Sequence, residues 1–126
     1  MTRWVVDGMN VIGSRPDGWW RDRPGAMREL VEALGAIDEP VTVVFDGAPF
    51  ELDQSGGVEV LFAGRRGRNA ADDDIVALVG AADDPGLLRV VTSDAELARR
   101  VAERGAQVLS AGAFRRRRLD RAPGEE

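Results

Sequence analysis

Residues 3–7 have the sequence RWVVD, a short apolar run that ends directly in an aspartate and is followed by Gly8. A buried strand that ends in a turn has this pattern, and residues 41–46, VTVVFD, repeat it before another glycine. Three more apolar runs follow, and β-branched residues, which favour strand, dominate most of the five. The predicted strands are Arg3–Val6, Val41–Phe45, Val58–Phe62, Leu87–Val91 and Gln107–Leu109.

Helical patterns alternate with these strands. Between Pro24 and Leu34, apolar residues recur at i, i+3, i+4 and i+7, which places them on one face of a helix. Similar patterns predict helices over Asp72–Ala81 and Ala95–Arg104, and a last helical segment near Ala113–Leu119. This order of strands and helices predicts an α/β fold with a central, mainly parallel sheet.

The composition indicates one domain and excludes many kinds of chemistry. The 126 residues are about one domain's length, and 44% of them are hydrophobic, which is enough for a core. Because the chain has no Cys, it cannot form disulfides, thiolate zinc sites or a cysteine nucleophile. Because it has no His or Lys, it has no imidazole base, Ser-His-Asp triad or Schiff-base lysine. Oxygen ligands remain, and they suit Mg²⁺ or Mn²⁺.

The apolar runs are too short to indicate a membrane protein. None approaches the roughly 18 residues of a membrane-spanning helix. The first ten residues, MTRWVVDGMN, carry one Arg and no long apolar stretch, unlike a secretory signal. We expect a cytoplasmic protein with no membrane partner, consisting of one folded domain over residues 1–120 and a disordered tail over residues 121–126.

Aspartates follow three of the predicted strands, at Asp7, Asp46 and Asp94. Parallel strands present their carboxyl ends at one edge of the sheet, where α/β proteins bind ligands. Residues 72–74, DDD, open a helix that should start at the same edge. Two charges about 4 Å apart repel by about 4 kcal/mol at an effective dielectric near 20. Because no Lys or His supplies a counter-charge, a divalent cation is the simplest way to hold such a cluster together.

Each aspartate also has an ordinary structural explanation. The Asp-Gly pairs at residues 7–8 and 46–47 are common turn sequences. Residues 93–96, SDAE, match a helix capping box, and Asn69 is a possible cap for the helix with the acidic run. Turn chemistry does not predict that three strands should all end in an acid at one edge. We therefore interpret the acids together as a candidate site.

Four motifs along the chain resemble those of a known family. Residues 7–12, DGMNVI, resemble the opening motif of NYN-domain proteins, relatives of the PIN nucleases, and especially of their YacP-like branch. ADDDI at 71–75, TSD at 92–94 and RGA at 104–106 follow in the order of that branch. The resemblance extends from about Trp4 to Leu119. One such motif is a weak signal, whereas four in order are specific.

This resemblance implies a PIN-like three-layer α/β/α fold and metal-dependent cleavage of RNA, of the endoribonuclease type. Carboxylate-bound Mg²⁺ or Mn²⁺ would activate a water that attacks the phosphodiester. The implied catalytic residues are Asp7, Asn10, Asp46, Asp72, Asp73 and Asp94. The implied metal ligands are Asp7, Asp46, Asp72 and Asp94. Asp73 is expected to orient the water or hold a second ion, and Asp74 to face solvent.

Hydroxyl and amide groups beside these acids are expected to support the site. We expect Asn10, Thr92 and Ser93 to hydrogen-bond the carboxylates or a phosphate. RNA is the implied substrate. A ribosome or a second copy of the chain that positions the substrate is left open.

Arginines and tryptophans are the candidate RNA contacts. The chain has a net charge of −5, but the rest of it is neutral once the five catalytic aspartates are set aside. Arg65, Arg66 and Arg68 precede the acidic helix and are predicted to bind RNA phosphates. The run Arg115–Arg118 either binds phosphates or is a solvated face. The pair Trp19-Trp20, in a predicted loop over Gly13–Arg23, either stacks on unpaired bases or packs over the loop.

Two other functional classes are compatible with acids at strand ends. Haloacid-dehalogenase-like phosphatases and receiver domains need a Lys at the site, and the phosphatases need a D-x-D after the first strand. The chain has neither feature. A catalytically inactive NYN relative that binds RNA or a protein is the remaining alternative, although the full set of acids favours an enzyme.

Overall fold

Five parallel strands form one sheet in the computed structural model, which describes residues 2–47, 49–52, 57–64 and 70–119. The spatial order of the strands is β3-β2-β1-β4-β5, and every neighbouring pair is parallel. The predicted α/β fold with a parallel sheet is therefore confirmed. The strands are β1 (Arg3–Asp7), β2 (Val41–Phe45), β3 (Val58–Phe62), β4 (Leu88–Val91) and β5 (Gln107–Leu109).

The helices agree with the sequence prediction except at the beginning of the chain. The described helices are α1 (Gly8–Gly13), α2 (Arg23–Leu34), α3 (Ala70–Ala81), α4 (Ala95–Ala102) and α5 (Ala111–Phe114). Helix α5 continues as a π-helical segment, Arg115–Leu119, and 3₁₀ turns lie at Trp19–Arg21 and Pro85–Leu87. Helix α1 was not predicted, because six residues with a glycine at each end show no apolar periodicity.

Gly8 explains how α1 can begin directly after β1. The Asp7-Gly8 pair was interpreted as a turn, but the chain enters a helix there. A Cβ atom at Gly8 would overlap the ring of Phe45 at the end of β2. Glycine therefore lets α1 pack closely on the sheet. The first turn of α1 is held against the carboxyl end of β2 as a result.

Helices cover both faces of the sheet, as expected for a three-layer α/β/α fold. Trp4, Val6 and Val43 point to the face that packs against α1, α2 and α5. Val5 and Val90 point to the other face and pack against α3 and α4. This two-sided burial explains why β2 is buried at every position instead of alternating.

The strand order reverses between β1 and β4. From β1 the chain builds outward through β2 and β3, and it then crosses over to place β4 on the other side of β1. The crevice at such a switch point, outside the carboxyl ends of the strands, is where α/β proteins bind ligands. Asp7 ends β1, and Asp94 caps α4 three residues after β4 ends.

Several sequence predictions lie outside the described residues. They are the phosphate contacts Arg65, Arg66 and Arg68, the possible cap Asn69, and the tail over residues 121–126. The predicted loop Gly47–Gly57 is described only in part. No helix in the described part of the chain is long and apolar enough to cross a bilayer.

Candidate functional site

Asp7 is the most buried acid of the candidate site. Asp7 is 7% exposed. The other buried polar residues in the described ranges are Thr42 and Thr92. As the residue before α1, Asp7 could cap the helix, but its side chain makes no capping bond there. Burial raises its pKa from 3.8 to about 7, and the charges of Asp72, Asp46 and Asp94 add to this rise. The carboxyl group is therefore positioned for interaction across the crevice.

Thr92 links Asp7 to the loop between β4 and α4. Its hydroxyl donates a hydrogen bond to Asp7 Oδ2 (2.9 Å) and accepts one from the backbone N–H of Asp94 (3.1 Å). The bond from Thr92 lowers the pKa of Asp7 and so partly opposes the effect of burial. The predicted contact between Thr92 and a carboxylate is present, and it fixes one oxygen of Asp7.

Asp94 has one of the two roles that the sequence left as alternatives, the helix cap, and its role in the site stays a prediction. Its Oδ1 accepts a hydrogen bond from the Leu97 N–H (3.0 Å), so Asp94 itself caps α4. The capping box predicted from Ser93 and Glu96 is wrong, because the helix starts one residue later than that box requires. A carboxylate has two oxygens, so a cap formed through one of them is compatible with a ligand at the other.

Asp72 joins this group from α3, on the other side of the crevice. It lies in the first turn of α3, where a negative charge is favourable. Its pKa is raised, first by burial and then by the charges of Asp94 and Asp46, while Arg100 lowers it. Four carboxylates from separate parts of the chain thus act on one another at the carboxyl edge of the sheet: Asp7, Asp46, Asp72 and Asp94.

These four residues fit a hard divalent cation in their chemistry. All of them supply carboxylate oxygens, and the mutual repulsion that raises the pKa of Asp7 and Asp72 is what a cation would relieve. Within the described ranges, however, no three acidic side chains already converge around one point as in a finished metal cage. Binding a metal ion would therefore require these carboxylate side chains to rotate at the carboxyl edge of the sheet, called the rim below.

Arg100 is a cation at this site that the sequence reasoning missed. Its Nη1 lies 3.0 Å from Asp73 Oδ1, and the pair joins α4 to α3. Asp73 pairs with α4 in this way, and the role expected of it, to orient the water or hold a second ion, stays a prediction. One arginine among many in the sequence gives no signal of this contact, which depends on the packing of two helices.

Asn10 and Ser93 support the crevice through the backbone. The side-chain oxygen of Asn10 accepts a hydrogen bond from the Ser93 N–H (2.8 Å), which ties α1 to the loop after β4. The Ser93 hydroxyl accepts one from the Ala111 N–H (2.9 Å) at the start of α5. These contacts position the loop that carries Asp94. The predicted contacts of Asn10 and Ser93 with a carboxylate or a phosphate stay predictions. Asp74 is half-buried and has an interaction partner, whereas a solvent-facing position had been expected.

The two adjacent tryptophans have different environments. Trp19 is partly buried against the core beside α1 and α2. Trp20 is 57% exposed, meets Trp19 edge-on at a centroid distance of 5.9 Å, and has the Arg21 guanidinium 5.9 Å from its ring centroid. Packing over the loop is thus the role of Trp19, and Trp20 is the ring that is accessible for stacking.

Comparisons with known proteins agree with this architecture. The chain matches the YacP-like NYN domain over residues 4–122. Among solved structures, it is similar to the W164L mutant of Rae1 (YacP) from Bacillus subtilis, with a TM-score of 0.73 and 26% identity over 93% of this chain and 74% of that one. Rae1 (YacP) without that mutation gives a TM-score of 0.71 and 25% identity, over 93% and 73%. No protein with curated annotation matches the chain.

The family match covers nearly all of the sequence, and the sheet order and acidic rim lie within it. The fold is that of a PIN-like, nuclease-type domain. The chain belongs to the YacP-like NYN domain family.

Proposed function

We propose that this protein is a metal-dependent ribonuclease that cleaves RNA phosphodiesters internally. The observation that carries the proposal is the group of four electrostatically coupled carboxylates at the switch point of the sheet: Asp7, Asp46, Asp72 and Asp94. Membership of a nuclease-type family and the absence of His, Cys and Lys both favour this chemistry over side-chain general bases or nucleophiles.

In this proposal Asp7, Asp46 and Asp94 hold Mg²⁺ or Mn²⁺ directly or through water, and Asp72 completes the set. When bound, such an ion lowers the pKa of a water molecule and stabilises charge on the scissile phosphate. Thr92 holds Asp7 in place through its hydroxyl. Asn10 fixes the loop that carries Asp94. Asp73 orients α4 through Arg100 and is left out of the ligand set.

RNA contacts in this proposal come from an exposed tryptophan and from arginines. Trp20 presents an exposed ring on which an unpaired base can stack, with Arg21 next to it. Arg65, Arg66 and Arg68 precede α3 in the sequence and remain predicted phosphate contacts.

An RNA-cleavage assay with Mn²⁺ or Mg²⁺, with and without EDTA, tests the proposal, and a circular RNA substrate identifies internal cleavage. We expect cleavage that EDTA abolishes. Loss of a residue that supports a metal ligand typically lowers activity about 10- to 100-fold. Asp7→Asn and Asp94→Asn remove proposed ligands themselves, so each should lower the cleavage rate by more than that. Asparagine also caps helices, so Asp94→Asn should leave α4 intact.

Asp84→Asn is the matched control. Asp84 caps the 3₁₀ turn before β4 through the Gly86 N–H, at the opposite end of that strand. Its substitution should leave cleavage unchanged. Undiminished activity of the Asp7→Asn protein would show that the site is misassigned. A wild-type protein that binds RNA but does not cleave it with either metal would instead be an inactive NYN module.

A further inference from the structure

A cluster of positively charged residues lies beside β4 and β5, closer to the amino ends of the strands than the four carboxylates are. A cavity of about 310 Å³ is lined there by Arg89 of β4 and by Arg117 and Arg118 of the π-helical segment. Trp4 and Leu109 belong to the same lining. Among the described residues that line it, none is Asp or Glu. The lining is therefore strongly positive although the chain as a whole has a net charge of −5.

The guanidinium groups of this cavity are held in place by an aromatic ring. Those of Arg89 and Arg118 lie 5.5 and 5.3 Å from the centroid of the Trp4 ring. The Trp4 Nε1–H donates to Glu39 Oε1 (2.9 Å), and Arg118 Nη2 lies 3.5 Å from the same oxygen. Glu39 offsets one of the three charges, so the cavity keeps an excess of positive charge that favours an anion.

The register of the sheet gives the position of this cavity relative to the proposed active site. Leu109 pairs with Val91, which pairs with Val6, so Leu109 is one residue below the level of Asp7 and two strands away from it, a lateral distance of about 10 Å. Arg89 pairs with Trp4, three residues before Asp7, and so lies about 10 Å below Asp7 along the strands. An RNA strand bound at the four carboxylates would therefore reach the cavity with phosphates that lie beyond those next to the scissile one.

A larger cavity, of about 400 Å³ between α1, α2 and the π-helical segment, fits this ligand less well. Its lining carries Arg15 and Arg115 but also Asp17, Asp22 and Glu29. Arg115 donates to the Val11 carbonyl and the Ser14 hydroxyl there. Acidic and basic side chains in one lining offset each other and do not favour a polyanion. The cavity around Arg89 favours one, because its described lining contains arginines and no acid.

We propose that the cavity formed by Arg89, Arg117 and Arg118 binds backbone phosphates of the RNA strand outside the nucleotides that flank the scissile bond. This inference rests on the proposed ribonuclease function and extends it to substrate positioning. Guanidinium groups bind phosphate oxygens in a bidentate manner, and the Trp4 ring holds those of Arg89 and Arg118 next to each other. The four arginines at 115–118 thus do not act as one surface, since Arg115 binds α1.

The test measures binding of a fluorescent single-stranded RNA by anisotropy in EDTA, where no cleavage occurs. The double variant Arg89→Gln/Arg117→Gln should bind about tenfold more weakly for each phosphate that it no longer holds. The slope of log affinity against log salt should fall by about 0.7 for each such phosphate. Arg99→Gln is the matched control, because Arg99 is exposed on α4 and pairs with Glu96 and Glu103 on the other face of the sheet.

Thermal unfolding checks that the variants are folded. Arg117→Gln alone is the second variant, because Arg117 is exposed and its substitution should not disturb the Trp4 ring. Equal affinity and equal salt slope for the control and for the Arg117→Gln and double variants would overturn the proposal.

Cleavage kinetics separate this proposal from the nuclease proposal. The double variant should raise KM for long RNA and leave kcat unchanged, while a short oligonucleotide that cannot reach the cavity is cleaved as by the wild type. An equal loss on long and short RNA would contradict a positioning role. A wild-type protein without metal-dependent cleavage would refute the nuclease, and the binding measurement in EDTA would still decide whether the cavity holds RNA.

Discussion

Asp7 shows how the position of one residue sets the chemistry of the rim. The sequence places an acid at the end of the first strand, but it does not reveal how deeply that acid is buried. Burial depends on the packing of α1, the loop after β4 and α3 around it. Because water reaches the carboxyl group poorly and three acids act on it, the pKa rises to about 7. A folded protein at neutral pH therefore carries this group partly protonated unless a cation binds.

The pH dependence of stability follows from this raised pKa. Between about pH 4 and pH 7 the folded state keeps the Asp7 proton and the unfolded state has lost it, so the free energy of unfolding falls as pH rises, by up to about 1.4 kcal/mol per pH unit. Asp7→Asn should remove this contribution and make the protein more stable than wild type above pH 7. Asparagine still accepts the Thr92 hydrogen bond. Urea unfolding in EDTA across this pH range measures the effect.

Asp84→Asn again serves as the control, since it removes a carboxylate from an exposed cap. Its stability curve should run parallel to that of the wild type. Parallel curves for Asp7→Asn and wild type would contradict the raised pKa.

At the level of elements, α1 is the part that the sequence could not predict. The strands Val41–Phe45, Val58–Phe62 and Gln107–Leu109 have the bounds predicted for them, because turn-forming residues such as proline and glycine stand close to their ends. Helix α1 has six residues, GMNVIG, and depends on tertiary contact instead of propensity. The ion pair between Arg100 and Asp73 also depends on tertiary contact, because it forms only once α3 and α4 have packed together. The sequence therefore did not predict it.

Substitution of Gly8 tests this close packing. Gly8→Ala should destabilise the protein by about 1–3 kcal/mol, because a Cβ atom there meets the Phe45 ring. Gly13→Ala, at the other end of α1, is the control. Its Cβ would lie 4.0 Å from Trp19 Cζ2, an ordinary contact, so it should be neutral or stabilise the helix by about 0.5–1 kcal/mol. Chemical denaturation compares them, and equal effects would show that the contact with Phe45 is unimportant.

At the level of the whole molecule, the topology decides where the acids meet. Alternating strands and helices predicted a parallel sheet, and acids at strand ends predicted a common edge. The pattern of acids at strand ends did not by itself reveal which carboxylates act on one another, because that depends on the strand order 3-2-1-4-5 and on the start of α3. The family resemblance supplied the choice of Asp72. The structure brings together Asp7, Asp46, Asp72 and Asp94, while Asp73 pairs with Arg100.

Metal binding should stabilise this whole arrangement. A ligand that binds only the folded state adds about 2.7 kcal/mol at a concentration 100 times its Kd. We expect Mn²⁺ to raise the thermal midpoint, and to do so more above pH 7 than below it, because Asp7 must lose its proton to bind a cation. The double variant Asp7→Asn/Asp94→Asn should lose the response. An equal shift in the double variant and the wild type would place the metal elsewhere.

The contact between Thr92 and Asp7 joins residues 85 positions apart. Contacts of such long range form late, since the intervening chain must be closed first. During translation, the first three strands can emerge and pair while β4 and the start of α4 have not yet been synthesised. A growing chain therefore lacks half of the crevice, and the four carboxylates can come together only after Asp94 has been synthesised.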